Sequence, residues 1–219
     1  MNKVIVFSNI KGGVGKTTLC AMMASYLHDN AIKVGILDAD IQASLARHRE
    51  RELNAEPEHP VPYEVIRLDT SNESSVKNIM DRLKNLDGVV LIDCPGNLNA
   101  ANLEYIYREA DAAVIPISYD NDTIDATGIF VKVLRKINST APLFFVPNRI
   151  NTSEGKAEEL RQRAQTTEIL NVVGVVTPRI KQSVVVKRYS TLLPLDKYQT
   201  AAVEHAFDTV IKKLGINIK

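Results

Sequence analysis

The sequence has little of what extracellular, membrane-spanning or fibrous proteins need. It holds 2 cysteines and no tryptophan in 219 residues, and only 5% of its residues are aromatic. Two cysteines are too few for a disulfide scaffold or a four-cysteine metal site. No apolar run approaches the roughly 20 residues of a transmembrane helix, and the apolar start Val4–Phe7 is too short for a signal peptide. We therefore expect a cytoplasmic protein.

The charge is nearly balanced, with 27 basic and 26 acidic residues and a formal net charge of +1. Such a chain has no overall field that would attract nucleic acid, so any nucleic-acid binding must come from a local patch. Hydrophobic residues make up 45% of the chain, which is enough for a core and excludes a disordered protein. The length fits one large α/β domain, so we treat residues 1–219 as a single domain.

Seven short runs rich in valine, isoleucine and leucine alternate with segments of helical periodicity. The predicted strands are Val4–Ser8, Lys33–Leu37, Tyr63–Leu68, Val89–Ile92, Ala112–Ile117, Leu143–Val146 and Val172–Val176. Most of them are continuously apolar, which is typical of strands buried on both faces of a parallel sheet. The clearest amphipathic helix spans Ala202–Leu214. The pattern predicts an α/β fold with a doubly wound, mostly parallel sheet of about seven strands flanked by helices.

A glycine-rich segment between the first predicted strand and the first helix carries the strongest functional signal. It reads Lys11-Gly12-Gly13-Val14-Gly15-Lys16-Thr17-Thr18. Glycines let the backbone curl so that several N–H groups face one phosphate, and the helix N-terminus adds partial positive charge. In such a loop Lys16 can reach the β- and γ-phosphates, and Thr17 can offer its hydroxyl to Mg²⁺. The common motif starts with glycine where Ile10 stands here, and Lys11 is an additional lysine.

Three aspartates at predicted strand ends are candidates for binding metal and water. Asp38 and Asp40 follow the second strand, and Asp93 follows the fourth. Ligands of an open parallel sheet bind at the carboxyl ends of its strands, so all three should face the glycine-rich loop. Asp93 is placed to hold Mg²⁺ directly or through water. Asp38 and Asp40 could orient the attacking water, but each could instead cap the following helix.

These segments resemble the ParA/MinD family of deviant-Walker ATPases. The resemblance extends along essentially the whole chain and rests on the glycine-rich loop, on Leu37–Gln42 and on Val89–Gly96. It implies a P-loop NTPase fold with ATP and Mg²⁺ as cofactors, and it is strongest toward the short plasmid-type partition ATPases. Partition proteins usually have proline where Ile41 stands, and the MinD branch often has isoleucine there.

The resemblance gives Lys11 a role that a single chain does not explain. It implies that Lys11 crosses a two-fold interface and contacts the ATP of the partner, so that ATP produces a homodimer. A cation supplied in trans acts like an arginine finger, which accelerates known reactions about 10³–10⁵-fold. The resemblance also implies that Asn148 and Arg149, after the sixth predicted strand, contact the adenine. The alternative for these two residues is an ordinary polar loop.

A stretch without acidic residues lies between Glu168 and Asp196. Four basic residues cluster within it: Arg179, Lys181, Lys187 and Arg188. A local excess of cations favours the phosphate backbone of DNA. No base-reading motif accompanies the cluster, so DNA binding should be non-specific and sensitive to salt. An ordinary solvated surface is the alternative.

Together these features predict an ATPase that dimerises on Mg-ATP, binds DNA non-specifically and drives segregation of a plasmid or similar replicon. A ParB-like centromere-binding or adaptor protein would stimulate hydrolysis, and the protein would be nucleoid-associated. One alternative is a MinD-like membrane-surface ATPase. We expect no stable membrane association, because the polar face of the last helix has balanced charge and its apolar stripe should pack on the sheet. The other alternative is a small-molecule kinase or ligase of the dethiobiotin synthetase type, in which Lys11 has no clear role.

Overall fold

The computed structural model describes residues 2–97, 101–151 and 155–218, which form a 7-stranded sheet with helices on both faces. The strands are β1 (Asn2–Phe7), β2 (Val34–Asp38), β3 (Val65–Arg67), β4 (Gly88–Asp93), β5 (Ala112–Ile117), β6 (Leu143–Pro147) and β7 (Val175–Val176). The helices are α1 (Lys16–Asp29), α2 (Ser44–Ala55), α3 (Glu73–Leu83), α4 (Leu103–Glu109), α5 (Asn121–Ile137), α6 (Ala157–Val173), α7 (Val184–Lys187) and α8 (Lys197–Lys213).

The strand order is β3-β2-β4-β1-β5-β6-β7, and every pairing is parallel. The chain leaves β1 toward one edge of the sheet, returns through β4, and then crosses to the other edge through β5. The carboxyl end of β1 is therefore the point where the winding reverses, and ligands of open parallel sheets bind at such points. The predicted doubly wound fold is confirmed, and the sheet is parallel throughout.

Two apolar layers pack against opposite faces of the sheet. Side chains alternate along β1, so that Ile5 and Phe7 join the layer under α1 and α8, whereas Val4 and Val6 join the layer under α3, α4 and α5. Each of these four side chains is 5% exposed or less. A strand buried on both faces has to be continuously apolar, which is why the alternating pattern of a half-buried strand is missing here.

The seventh strand is shorter than predicted. Val172 and Val173 belong to α6, and Val172 is 84% exposed. The helix continues to Gly174, where a Cβ would lie 2.5 Å from the carbonyl oxygen of Leu143. Only glycine can make this close approach, so the chain turns into the sheet at Gly174 and not before it. The prediction followed the β-propensity of the valines, and the tertiary contact overrides that propensity.

The last helix confirms the predicted packing of its apolar stripe. Val203, Phe207 and Val210 are fully buried in the layer beneath the sheet. The helix begins earlier than predicted because Asp196 accepts hydrogen bonds from the backbone N–H groups of Tyr198 (2.7 Å) and Gln199 (2.9 Å). None of the helices in the described parts of the chain is both long enough and apolar enough to cross a bilayer.

Candidate functional site

The glycine-rich loop joins β1 to α1 and requires glycine at two positions. Gly13 has φ +77° and Gly15 has φ +102°, both in the left-handed region that side chains rarely adopt. A Cβ on Gly15 would also lie 2.3 Å from Nδ2 of Asn148. The loop is thus a narrow backbone cradle at the N-terminus of α1, which is the geometry that anionic groups bind.

Asn148 and Arg149 hold this cradle from the end of β6. Nδ2 of Asn148 donates a hydrogen bond to the carbonyl oxygen of Val14 (2.8 Å), and Nη1 of Arg149 donates to that of Gly13 (2.6 Å). Oδ1 of the buried Asn148 accepts from the backbone N–H of Arg149 at 2.9 Å. Both ends of the amide are engaged, so an adenine contact would compete with these bonds. The predicted adenine contact stays a prediction.

A third residue that holds the loop, Asn9, was missed by the sequence analysis. Its Nδ2 donates to the carbonyl oxygen of Pro116 (3.0 Å) and to Oγ1 of Thr127 (2.9 Å). Its Oδ1 accepts from the backbone N–H of Lys11 at 3.2 Å. Asn9 is fully buried and ties the loop to β5 and α5. Its partners in β5 and α5 are more than 100 positions away in sequence, so the sequence around Asn9 did not indicate that it ties the loop to these elements.

Lys16 lies inside the cradle, with its side chain curled back onto the loop. Its Nζ donates to the carbonyl oxygen of Lys11 at 3.2 Å, and Lys16 is only 9% exposed. Burial lowers its pKa, while the negative charges of Asp93 and Asp40 act in the opposite direction. Gly96 lies against the ammonium group, because a Cβ there would be 3.3 Å from Nζ. Lys16 is therefore surrounded by the loop, the end of β4 and the acidic residues.

Asp93 is the most perturbed carboxylate of the site. It pairs in register with Phe7 of β1 and with Asp38 of β2, at the carboxyl edge of the sheet. Burial raises its pKa to about 7; the charges of Asp38 and Asp40 add to this rise, and Thr17 and Lys16 oppose it. Neither carboxylate oxygen has a hydrogen-bond partner of standard geometry among the described residues, although the Thr17 hydroxyl is close enough to influence the pKa.

This arrangement fits a magnesium ion that is bound together with a phosphate. Magnesium takes oxygen ligands and is usually held by one or two carboxylates plus substrate phosphates, not by an all-protein cage. The buried carboxylate of Asp93, whose oxygens have no hydrogen-bond partner of standard geometry among the described residues, and the nearby hydroxyl of Thr17 supply such oxygen donors. The part of the chain that the structure describes has no group of three or more His, Cys, Asp or Glu side chains suited to a metal ion.

Asp38 and Asp40 have different surroundings. Asp38 is fully buried, and its Oδ2 accepts from the backbone N–H groups of Leu45 and Ala46, both at 2.9 Å. Burial raises its pKa, and the backbone hydrogen bonds oppose the rise. Asp38 thus caps the first turn of α2, which was the alternative reading for a strand-end aspartate. Asp40 is only half-buried, and one of its oxygens, Oδ1, accepts from Gln42 N at 2.9 Å.

Lys11 lies on the outer side of the loop. Its Nζ is 3.3 Å from Oδ2 of Asp122 in the first turn of α5, and the two side chains are 36% and 84% exposed. A solvent-exposed ion pair of this kind contributes about 0–1 kcal/mol, so Lys11 can leave it at little cost. The predicted contact with the ATP of a second copy stays a prediction.

The four basic residues of the predicted DNA-binding stretch are all exposed: Arg179, Lys181, Lys187 and Arg188. The structure brings Lys181 and Lys187 to a crevice that is also lined by Thr18, Asn148 and Arg149. These two lysines therefore lie beside the glycine-rich loop. The sequence analysis did not connect them with the loop, because more than 160 positions separate them from it.

The fold and the site define a P-loop nucleotide-binding protein of the α/β class: a glycine cradle at the switch point of a parallel sheet, with a lysine inside it and carboxylates on the flanking strands. A family model described as the CobQ/CobB/MinD/ParA nucleotide binding domain matches residues 5–191. The chain belongs to this family.

The chain is similar in sequence to curated relatives that are named for different cellular roles. It is 26% identical to the chromosome-partitioning ATPase Soj of Treponema pallidum, over 64% of this chain and 66% of the relative. It is 23% identical to a putative septum site-determining protein MinD of Emiliania huxleyi, over 90% of this chain and 81% of the relative. The match to Soj thus falls just short of two thirds of that protein's length.

Solved structures share the fold. A putative plasmid partition protein of Borrelia burgdorferi bound to AMPPNP superposes with a TM-score of 0.77 at 19% identity, over 97% of this chain and all of that chain. An ATP complex of a McdA variant from Cyanothece gives 0.76 at 20% identity, over 100% and 98%. The MinD cell division protein of Aquifex aeolicus gives 0.70 at 19% identity, over 99% and 98%.

Proposed function

We propose that this protein is a ParA-like ATPase that dimerises on Mg-ATP, binds DNA non-specifically and drives segregation of a plasmid or similar replicon. The observation that carries the proposal is Asp93, a buried carboxylate without a hydrogen-bond partner among the described residues, beside Thr17 and Lys16 at the glycine cradle. The family and the relatives named for partition support the cellular role.

The cradle and Lys16 bind the phosphates. Backbone N–H groups at the start of α1 and the glycines that shape the loop favour an anion, and the Lys16 ammonium reaches the β- and γ-phosphates. Thr17 and Asp93 hold Mg²⁺, directly or through water. The ion supplies charge neutralisation at the β- and γ-oxygens. Asp93 is ionised when it binds the ion, even though burial raises its pKa.

Asp40 orients the attacking water in this proposal, and Asp38 acts through the helix that it caps. Both oxygens of Asp38 accept backbone hydrogen bonds, whereas Asp40 is half-buried. Lys11 leaves Asp122 and reaches the nucleotide of a second copy. Turnover is slow in the isolated chain because each site is complete only in the dimer. A ParB-like adaptor bound to the cargo stimulates turnover. In this proposal the protein is cytoplasmic and nucleoid-associated, because its ATP-bound dimer binds DNA.

Sizing and DNA binding with Mg-ATP test the proposal. Wild type should dimerise with Mg-ATP and then shift arbitrary duplex DNA at low salt. Lys16→Ala should lose nucleotide binding, Lys11→Ala should bind ATP but stay monomeric, and the exposed Lys132→Ala in α5 is the matched control. If Lys11→Ala dimerises as well as wild type, the role of Lys11 in trans is wrong. If the ATP-bound wild type leaves DNA unshifted, the DNA-binding role is wrong.

A MinD-like function is the second candidate, since the MinD relative matches 90% of this chain. Co-sedimentation with anionic phospholipid vesicles in Mg-ATP distinguishes it from the DNA-binding function. We expect the protein to stay in the supernatant, because the apolar stripe of α8 is packed in the core. ATP-dependent pelleting without any DNA shift would favour the MinD-like function.

A further inference from the structure

We infer that a hydrogen-bonded cluster of Arg49, Glu52 and Thr191, here named the α2 clamp, positions the basic segment Lys187–Arg188 according to the state of the nucleotide site. This inference rests on the proposed function, because it explains how DNA binding by this segment would depend on ATP. The clamp residues are positioning residues and do not touch the nucleotide.

The clamp binds every polar group of Thr191 to one helix. Arg49 donates from Nε to Oγ1 of Thr191 (2.7 Å) and from Nη2 to its carbonyl oxygen (2.6 Å). Glu52, one turn further along α2, accepts from the backbone N–H of Thr191 at 2.9 Å and also from its hydroxyl. Thr191 is fully buried and Arg49 is 5% exposed. Segment 190–192 therefore has to follow any movement of α2.

Arg49 also connects α2 to the segment just before β3. Its Nη1 donates to the carbonyl oxygen of Tyr63 at 2.7 Å, and its guanidinium lies 5.0 Å from the centre of the Tyr63 ring. Burying a guanidinium costs several kcal/mol, and well-packed apolar residues can stabilise a fold equally well. We therefore infer that the directed hydrogen bonds of this charged cluster mainly define the position of segment 190–192 relative to α2, and that their contribution to stability is secondary.

The other end of α2 lies at the nucleotide site. Asp38 holds its first turn through Leu45 and Ala46, and Asp38 is in register with Asp93. The residue before the helix, Ala43, has φ 45° and ψ 45°, a left-handed conformation that costs about 1 kcal/mol or more for a residue with a Cβ. The carbonyl oxygen of Asp40 accepts a hydrogen bond from the backbone N–H of Ala43 at 2.8 Å, so a rearrangement of Asp40 around a γ-phosphate would be transmitted to the start of α2.

The basic segment lies directly before the clamped one. Arg188 precedes Thr191 by three positions, and between them the ring of Tyr189 packs on His48 of α2 with ring centres 4.9 Å apart. On its other side the segment is held by α8, where Nε2 of Gln199 donates to the carbonyl oxygens of Val185 and Arg188, both at 3.1 Å. Lys187 and Arg188 thus lie between α8 and a helix that begins at the nucleotide site.

Thr191→Val tests the clamp, because it keeps the shape of the side chain and removes the hydroxyl that Arg49 and Glu52 share. Thr191→Ser restores the hydroxyl and is the matched control. Both variants should bind AMPPNP with Mg²⁺ as wild type does. For Thr191→Val we expect the gain in DNA affinity on adding AMPPNP to fall about tenfold, the effect of losing hydrogen bonds to charged groups, while Thr191→Ser keeps the gain.

Hydrogen–deuterium exchange of peptides covering residues 184–192 gives a readout that does not depend on DNA. AMPPNP should change exchange in wild type and Thr191→Ser, and this change should be absent in Thr191→Val. Equal responses in all three proteins would overturn the inference. If wild type shows the exchange response but no DNA binding, the proposed function fails and the clamp stands. Should Thr191→Val fail to fold, Glu52→Gln is the replacement, with the same expected loss.

Discussion

The raised pKa of Asp93 leads to a prediction about protein stability that can be tested without measuring catalysis. Burial raises the pKa of this carboxyl from its ordinary value of 3.8 to about 7. Between these two values the folded protein binds the proton more tightly than the unfolded chain, so the contribution of Asp93 to stability falls as pH rises. Each pKa unit corresponds to about 1.36 kcal/mol, and the ionised carboxylate therefore destabilises the nucleotide-free protein by about 4 kcal/mol.

Urea unfolding of wild type and Asp93→Asn at pH 5, 6, 7 and 8, without nucleotide or Mg²⁺, measures this effect. The variant keeps the size of the side chain and cannot ionise. The free energy of unfolding of the variant minus that of wild type should rise by about 3 kcal/mol from pH 5 to pH 8. The difference cancels the pH dependence of groups that do not interact with Asp93.

The exposed Asp69 is the matched control, because the Ser71 hydroxyl lowers its pKa. Asp69→Asn should therefore give a difference that stays flat from pH 5 to pH 8, because this carboxyl is ionised in both the folded and the unfolded protein throughout that range. A flat difference for Asp93→Asn across the four pH values would refute the reasoning, since it would mean that the carboxyl is solvated or paired in the folded protein. Adding Mg-AMPPNP at pH 8 should stabilise wild type more than Asp93→Asn.

Three further experiments test other parts of the site. Gly15→Ala should abolish nucleotide binding in calorimetry, because its Cβ would collide with Asn148; Gly128→Ala, at a helical glycine with nothing within 4 Å, should keep binding and add up to about 1 kcal/mol of stability. Asp38→Ala should lower the free energy of unfolding by about 2 kcal/mol or more in urea titrations, through the lost cap of α2 and the donors left buried; unchanged stability would contradict the capping role. Arg179→Ala and Arg188→Ala should each weaken DNA binding in filter assays and reduce the salt slope by about 1, and an unaltered slope would remove the residue from the DNA contact.

The sheet could be predicted from the sequence because the features that indicate a buried parallel strand lie within the strand itself. The central strands of a two-sided parallel sheet must be continuously apolar, and the turn after β1 must contain glycines at Gly13 and Gly15. Such requirements concern neighbouring residues, so they can be read without knowing the tertiary structure. The error at β7 shows the limit: the end of α6 depends on Leu143, which approaches Gly174 from another strand.

The division of work between Asp38 and Asp40 could not be read from the sequence. Both are aspartates at the same strand end, and what separates them is where α2 begins in space. The same holds for Asn9 and for the contact of Arg49 with Thr191, whose two residues are 142 positions apart. Long-range hydrogen bonds of single polar residues leave no periodic pattern, so they emerge only from the structure.

The unfavourable state of Asp93 and Lys16 has a direct consequence for binding. Burial acts against the charge of both groups, raising the pKa of the carboxyl and lowering that of the ammonium. The nucleotide-free protein therefore holds a carboxylate without a hydrogen bond from the described residues and a lysine folded onto the carbonyl of its own loop. A cation at Asp93 and phosphates at Lys16 would each favour the charged form that burial disfavours. Binding would therefore offset the desolvation cost of these two charges in the folded protein. A ligand at 100 times its Kd stabilises a folded protein by about 2.7 kcal/mol. We therefore expect the protein to be more stable toward unfolding with bound Mg-nucleotide than without it.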